Sequence, residues 1–130
     1  MIAGLAAGAV VLALVVWLRR AFLVVTVTGR SMTPTFEPGD RVLARRGRAR
    51  TGDVVIVGPG RLVIKRLAAL PGEPVPRDRV PALADVPEAT VPAGKMVLLG
   101  DAAESSDSRQ LGYFDADRIV GRAVRRLARR

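Results

Sequence analysis

The 130-residue chain contains neither histidine nor cysteine, and these two absences exclude several kinds of chemistry. A Ser-His-Asp triad would lack its imidazole base, and a cysteine nucleophile would lack its thiol. Zinc and iron–sulfur sites that are built from histidine and cysteine are excluded for the same reason. Since no disulfide can form, the sequence does not indicate the redox state of the compartment. We therefore expect no cofactor and no metal.

Lysine is almost as scarce. The formal net charge is +9, yet only Lys65 and Lys95 are lysines, and the other 19 basic residues are arginines. Guanidinium groups stay protonated, so arginine cannot accept a proton during a reaction. If an amine side chain acts as a base, it is one of these two lysines. Aromatic residues make up only 4%, and the arginines are spread over several segments. We therefore expect no nucleic-acid partner.

The longest apolar run extends from Ile2 to Leu18 and is followed by Arg19 and Arg20. As a helix it would be about 25 Å long, which is the short end of the range for a bilayer span. Trp17 would lie at the membrane interface, where an amphipathic ring is favoured. No basic segment precedes the run, and no small-x-small cleavage site follows it. These features predict a transmembrane anchor over residues 1–20 and disfavour a cleaved signal peptide or a buried helix.

Residues 21–130 are predicted to form one mainly β domain. Its β-branched runs predict strands at Phe22–Thr28, Arg41–Ala44, Asp53–Val57, Leu62–Leu67 and Met96–Leu99. The third and fourth of these should form a hairpin through Gly58-Pro59-Gly60, and 119–127 should be a final strand or helix. The proline-rich stretch at 71–94 is predicted to be a short irregular insertion.

The first candidate site is the segment Gly29-Arg30-Ser31-Met32-Thr33-Pro34-Thr35. Its serine follows a predicted strand and a glycine and precedes a turn that is fixed by proline. Such an arrangement can hold a hydroxyl at a strand end, with backbone N–H groups nearby for an oxyanion. The alternative interpretation is an ordinary turn rich in serine and threonine.

The second candidate is Lys65. Strand alternation places it on one face with Val63 and Leu67, which are apolar. A general base at neutral pH needs a pKa about 2–3 below the lysine reference value of about 10.4, and burial lowers the pKa in that direction. The alternative is an edge-strand lysine whose ammonium group reaches solvent. Lys95 follows Pro-Ala-Gly in a predicted solvated turn and is the poorer candidate.

The third candidate is the polar loop from Gly100 to Gly112. A loop rich in serine, aspartate and arginine can simply cap its own backbone. It can also support a site from behind, through an ion pair between Asp107 and Arg109. The sequence alone leaves both interpretations open.

Together and in this order, these three segments resemble the type I signal peptidases, a family of membrane-bound serine/lysine peptidases. The matching elements are Ser-Met-x-Pro-Thr at 31–35, Lys-Arg at 65–66 with Pro-Gly-Glu after it, and Gly-Asp…Ser-x-Asp-Ser-Arg-x-x-Gly at 100–112. Phe114–Arg122 is similar to the closing strand of the family. The resemblance implies a signal-peptidase-like (LexA-like) β-barrel or folded sheet in a compact form, joined to an N-terminal transmembrane helix.

The resemblance also implies roles for particular residues. Ser31 would be the nucleophile and Lys65 its general base. Ser105 would orient the lysine amine, and Asp107 and Arg109 would form a structural ion pair.

Two positions differ from forms that are common in the family. Gly29 stands where some members have a serine that donates to the oxyanion, so the N–H of the nucleophile would carry more of that role. Ala102 stands where the family often has asparagine. Small residues of the substrate would enter shallow apolar pockets involving Met32, Phe36 and Ile64.

The implied function is a membrane-anchored serine endopeptidase that cleaves signal peptides from secreted preproteins. Its partners would be those signal peptides and the lipid bilayer, and we expect a monomer. The family implies a single-pass protein of the cell membrane with its catalytic domain on the extracytoplasmic face. The arginines after the apolar run favour the cytoplasmic face instead, so the two orientations stay open.

Three other interpretations remain. The chain could be a maturation protease of the same chemistry with a single client. It could also be a membrane-anchored β domain that binds peptides without cleaving them. The arginine-rich tail Arg122–Arg130 could bind anionic lipid or be a solvated end. A self-cleaving repressor would need a helix-turn-helix unit, and the first 28 residues contain none.

Overall fold

The N-terminal apolar run forms one helix, α1 (Ile2–Ala21), in the computed structural model of the chain, which describes residues 1–128. None of its residues is buried, and the helix is long and apolar enough to cross a membrane. The helix ends because Phe22 adopts an extended conformation with φ −128° and ψ 154°. Phe22 is also the first residue of the first strand, so no linker separates the helix from the sheet.

Within residues 1–128, seven strands form one antiparallel sheet in the order β1-β2-β7-β3-β4-β5-β6. The strands are β1 (Phe22–Thr26), β2 (Arg41–Arg46), β3 (Val54–Val57), β4 (Val63–Ala69), β5 (Lys95–Leu99), β6 (Phe114–Asp115) and β7 (Ile119–Ala128). The last strand in the chain lies between β2 and β3, and therefore joins the first strand pair to the rest of the sheet. A one-turn helix, α2 (Ser108–Leu111), precedes β6.

The predicted mainly β fold with an N-terminal apolar helix is confirmed. The five predicted strands lie within a few residues of β1 to β5, and 119–127 belongs to a strand, not a helix. The hairpin is also confirmed, since β3 and β4 pair directly and Ile56 lies opposite Ile64. The predicted Pro-Ala-Gly-Lys turn is also present: the Lys95 N–H donates to the Pro92 carbonyl at 3.1 Å, and Lys95 is at the same time the first residue of β5. The closing strand expected at Phe114–Arg122 is interrupted: Phe114–Asp115 forms β6, Ala116–Arg118 is a 3-10 turn, and β7 begins at Ile119. The sequence did not predict α2.

The core consists of small aliphatic side chains in three clusters. One cluster lies between β1, β2, β3 and β4, and it includes Met32 from the segment after β1. A second packs the proline-rich stretch against the sheet through Val75, Val80, Leu83 and Val91. That stretch has little regular structure: a 3-10 turn at Pro81–Leu83 and an isolated bridge between Pro74 and Thr90. The third lies on β3, β4 and β5.

A glycine allows β7 to pack closely against β2. A side chain at Gly121 would collide with the carbonyl group of Arg45, so only glycine fits there without a backbone shift. This contact helps to seat β7 in the middle of the sheet. The turn after β1 and the start of β4 both contribute to the first core cluster, and the site described next is built on them.

Candidate active site

The segment after β1 forms a tight turn that presents Ser31. Gly29 has a positive φ of +77°, which favours glycine. Backbone hydrogen bonds close the turn, from Thr33 N–H to the Arg30 carbonyl at 3.2 Å and from Phe36 N–H to the Met32 carbonyl at 2.9 Å. Met32 is only 1% exposed, so its burial in the core fixes the residue directly after the serine. Ser31 itself is half-buried.

Lys65 lies on β4 with its amine directed at a hydroxyl group. Its Nζ donates a hydrogen bond to Ser105 Oγ over 2.8 Å, and the side chain is half-buried. Burial lowers the pKa of Lys65 below its ordinary value of 10.5. The negative charge of Asp107 opposes this change, and the positive charge of Arg109 adds to it. The net effect is a lowered pKa, so the neutral form of the amine, which is the form that can accept a proton, costs less free energy here than in an exposed lysine.

The start of the 100–112 loop brings Ser105 next to the backbone of Ser31. A side chain at Gly100 would collide with Ser105, and its Cβ would lie 2.6 Å from the Ser31 carbonyl oxygen. The N–H of Ala102 donates to that same carbonyl over 2.9 Å. Because the contact uses a backbone group, alanine can make it as well as asparagine. In the part of the chain that the structure describes, Ser31 and Lys65 form no direct side-chain hydrogen bond.

Asp107 organises the loop from a fully buried position. Its carboxylate accepts hydrogen bonds from the N–H of Gly100 at 2.8 Å and of Arg109 at 3.0 Å, and forms an ion pair with the Arg109 guanidinium at 2.7 Å. Together with Gln110 it forms a capping box at the start of α2. Burial alone would raise the pKa of Asp107, but the hydrogen bonds from Arg109, Gly100 and Ser105 outweigh it and lower the pKa. The carboxylate is therefore held ionised.

A groove of 220 Å³ runs beside Ser31 and Lys65. One side of the groove is lined by residues 26–32, which begin with the last residue of β1. The other side is lined by residues 61–65, which include the first three residues of β4. Among residues 1–128, β1 is an edge strand that pairs only with β2. β4 pairs with β5 only from Arg66 onward, so the first residues of β4 also present one unpaired edge. Two strand edges therefore face the groove with free backbone groups, an arrangement suited to an extended peptide.

The residues predicted to bind substrate differ in position. Met32 and Ile64 line the groove, although both are largely buried in the core cluster behind it. Phe36 is not among the lining residues and packs against that same cluster. Two arginines that the sequence did not single out for this groove, Arg30 and Arg61, also line it.

Known proteins have sequences similar to this one. The profile of the family described as signal peptidase, peptidase S26, matches residues 2–80 and 76–128, which is nearly the whole chain. The chain belongs to this family. It is also similar to signal peptidase IB of Staphylococcus aureus strains Mu50, N315 and MW2. Each is 29% identical to it over 139 residues, an alignment that covers 75% of this chain and 73% of the relative.

Membership of the signal peptidase family confirms the resemblance that the three ordered motifs predicted. It also confirms the predicted class, a serine endopeptidase of the signal peptidase type. The family and the apolar helix α1 together suggest membrane anchoring.

The signal peptidase fold of this chain has one further link that the sequence did not reveal. The Arg66 guanidinium binds both carboxylate oxygens of Asp101, from Nε to Oδ1 at 2.8 Å and from Nη2 to Oδ2 at 2.7 Å. The Thr35 hydroxyl donates a hydrogen bond to the same carboxylate at 2.5 Å. The hydrogen bond with Asp101 raises the pKa of Arg66, and the same bond lowers the pKa of Asp101. All three residues belong to the conspicuous motifs, but nothing in their spacing indicated that they pair. The link ties the serine turn, β4 and the 100–112 loop together.

Proposed function

We propose that the protein cleaves signal peptides from preproteins, with Ser31 as nucleophile and Lys65 as general base. One observation carries the proposal: the amine of the half-buried Lys65 points at Ser105, which lies close to the Ser31 backbone beside an open groove. A neutral amine keeps a lone pair after it donates one N–H to Ser105. That lone pair is the proton acceptor that a histidine-free serine peptidase requires.

In the first step, Ser31 Oγ attacks the scissile carbonyl carbon while its proton passes to Lys65 Nζ. The carbonyl oxygen becomes negatively charged and needs hydrogen-bond donors. The Ser31 N–H suits this role, because within residues 1–128 it donates to no other group. The tetrahedral intermediate then expels the amine of the mature chain, which takes the proton from the Lys65 ammonium. The products are a free amino terminus and an acyl-enzyme on Ser31.

In the second step, water hydrolyses the acyl-enzyme. Neutral Lys65 takes one proton from the water molecule while the water oxygen attacks the ester carbon. The same proton returns to Ser31 Oγ when the ester bond breaks. The signal peptide leaves with a new carboxylic acid, which releases the other water proton to solvent. Ser105 holds the amine in one orientation through both steps, and the ion pair of Asp107 with Arg109 fixes Ser105 from behind.

The groove supports an extended substrate with small side chains near the cut. Its volume of 220 Å³ is below the usual range for ligand pockets, about 300–1,000 Å³. Met32 and Ile64 form its apolar floor, so alanine-sized side chains fit and bulky ones do not. A signal peptide with Ala-x-Ala before the mature chain has this property.

We further propose that the groove lies on the extracytoplasmic side of the cell membrane, where a preprotein emerges. The support for this side is the family. The sheet continues directly from α1, which places the groove near the membrane on either side. The arginines after α1 favour the opposite side by the positive-inside tendency. Protease accessibility in sealed, inside-out vesicles tests this point: the sheet should be protected there and become digestible only when the vesicles are opened.

The decisive experiment uses the full chain in detergent and a preprotein with Ala-x-Ala at its processing site. We expect one cut directly after the second alanine, identified by sequencing the amino terminus of the product. Ser31→Ala should abolish cleavage, and the matched variant Ser106→Ala should retain it, because Ser106 is an exposed residue of the loop. Cleavage by Ser31→Ala at the rate of the unaltered protein would refute the proposal.

A further inference from the structure

Two clefts outside the peptide groove meet at Arg48 and Ala49. The first has a volume of 710 Å³ and a largely apolar lining. The second has a volume of 640 Å³ and a strongly basic lining. Both volumes lie within the range of about 300–1,000 Å³ that is typical of ligand sites. The lining of the first is Gly47, Arg48, Ala49, Leu70, Pro71, Ala116 and Ile119, and that of the second is Arg48, Ala49, Arg50, Asp53 and Arg122.

The charges of the basic cleft are unbalanced. Arg48, Arg50 and Arg122 form no ion pair within residues 1–128. The single carboxylate of the cleft, Asp53, accepts a hydrogen bond from the backbone N–H of Arg50 at 2.8 Å. In addition, Arg122 lies directly opposite Arg45 on the neighbouring strand. Like charges in that position repel one another, so a bound anion would stabilise this part of the sheet.

The position of these clefts relative to α1 indicates where the anion comes from. The Trp17 ring of α1 contacts the Phe22 ring edge-on at a centroid distance of 6.1 Å. The Arg45 guanidinium lies 5.9 Å from the centre of that same Phe22 ring. Tryptophan at the end of a membrane helix marks the interface with water, so Arg45 lies near the level of the lipid headgroups. Arg48, which lines both clefts, follows Arg45 by three residues.

We propose that the two clefts together bind one anionic phospholipid. Its phosphate would contact Arg48, Arg50 and Arg122, and an acyl chain would lie against Leu70 and Ile119. Guanidinium groups bind phosphate oxygens in a bidentate manner, which makes arginine suitable for this contact. A zwitterionic lipid would bring its own positive charge into an already basic cleft. A free phosphate would leave the 710 Å³ apolar cleft empty.

The test uses the full chain in mild detergent with equal amounts of phosphatidylglycerol and phosphatidylcholine, and native mass spectrometry to count retained lipids. We expect one phosphatidylglycerol per chain and no comparable retention of phosphatidylcholine. An arginine near a lipid surface contributes about fivefold in affinity, so Arg48→Gln should lower phosphatidylglycerol affinity about fivefold, and Arg48→Gln with Arg122→Gln about 30-fold. Ala49→Trp, which fills the junction of the two clefts, should also prevent binding.

The matched control is Arg79→Gln, which removes the same charge from an exposed arginine of the proline-rich stretch. It should retain phosphatidylglycerol as the unaltered protein does. An equal loss in this control would overturn the proposal, since total charge alone would then explain binding. Equal retention of the two lipids, or competition by glycerophosphoglycerol, which has the headgroup without acyl chains, would also overturn it. Arg48→Gln alters an exposed side chain only, so its result is interpretable even if the Arg122 variant fails to fold.

Discussion

The region around Lys65 and the region around Lys95 lie on neighbouring strands, and each surrounds a lysine in a different way. The Lys95 amine forms an ion pair with Asp115 at 2.6 Å, and the two side chains are 44% and 58% exposed. The Lys65 amine is half-buried, and its hydrogen-bond partner is the neutral hydroxyl of Ser105. A carboxylate in solvent stabilises an ammonium group, whereas a hydroxyl in a buried site leaves the charge poorly solvated. The surroundings, more than the residue type, therefore decide which lysine can act as a base.

The largest expected effect comes from exchanging each lysine for methionine. Lys65→Met should lower kcat/KM for the preprotein by about 10³-fold or more, because removal of a general base typically costs about 10²–10⁴-fold. Lys95→Met should leave cleavage within about twofold, because its surface ion pair contributes little. Initial rates measured for both variants side by side test this contrast. A similar loss in both variants would break the comparison.

The two acidic partners offer a second contrast, measured by urea unfolding in mild detergent at pH 7. Asp107→Asn should lower the free energy of unfolding by about 2–3 kcal/mol, because it removes charge-assisted hydrogen bonds in a buried site. Asp115→Asn should produce no measurable change, since that carboxylate is exposed. The folded state lowers the pKa of Asp107 below its ordinary value of 3.8. The ionised Asp107 therefore makes its full contribution to the free energy of unfolding above pH 3.8, and this contribution is lost as the pH falls further. Equal destabilisation by both substitutions would contradict the assignment.

A smaller effect is expected from Ser105→Ala, which removes the acceptor of the Lys65 hydrogen bond. Without it the amine is less well oriented, and kcat should fall by about 10- to 100-fold. The protonated amine also loses a hydrogen-bond partner, so the pKa of Lys65 should fall and the rising limb of the pH profile should move to lower pH. Ser106→Ala, one residue away and exposed, serves as the control. A fall in rate with an unmoved limb would indicate a purely structural role for Ser105.

The last contrast concerns pH, where the expected difference between the unaltered enzyme and its Lys95→Met variant is the smallest of all. Because burial lowers the pKa of Lys65, kcat/KM should rise about tenfold per pH unit and level off below pH 10.5, the ordinary lysine value. Lys95→Met should give the same profile. If kcat/KM levelled off only at or above pH 10.5, burial would not be lowering the pKa of Lys65, and the contrast between the two regions would disappear.

The parts of the fold that depend on local pattern were predictable. The β-branched runs on either side of Gly58-Pro59-Gly60 indicated the hairpin of β3 and β4, and the three ordered motifs indicated the family. The one-turn helix α2 was missed although its signal is present: Asp107 and Gln110 have the spacing of a capping box. The segment was interpreted as a loop because it is rich in serine and aspartate.

Other features depend on long-range contacts that no local pattern records. The position of β7 between β2 and β3 depends on the close approach of Gly121 to Arg45, residues that are far apart in the chain. The pairing of Arg66 with Asp101 likewise forms only when β4 and the 100–112 loop come together. For Lys65, alternation predicted the face of the strand but could not predict the hydroxyl that meets the amine.

The junction between α1 and β1 has a mechanical consequence. Ala21 ends the helix and Phe22 begins the strand, so no flexible residue lies between them. A change in the tilt of α1 therefore reorients the sheet as well, unless the backbone bends between Ala21 and Phe22. On the proposal that α1 spans the membrane and Ser31 is the nucleophile, the helix sets the height of the Ser31 hydroxyl above the hydrocarbon layer, and a thicker or thinner bilayer would change that height.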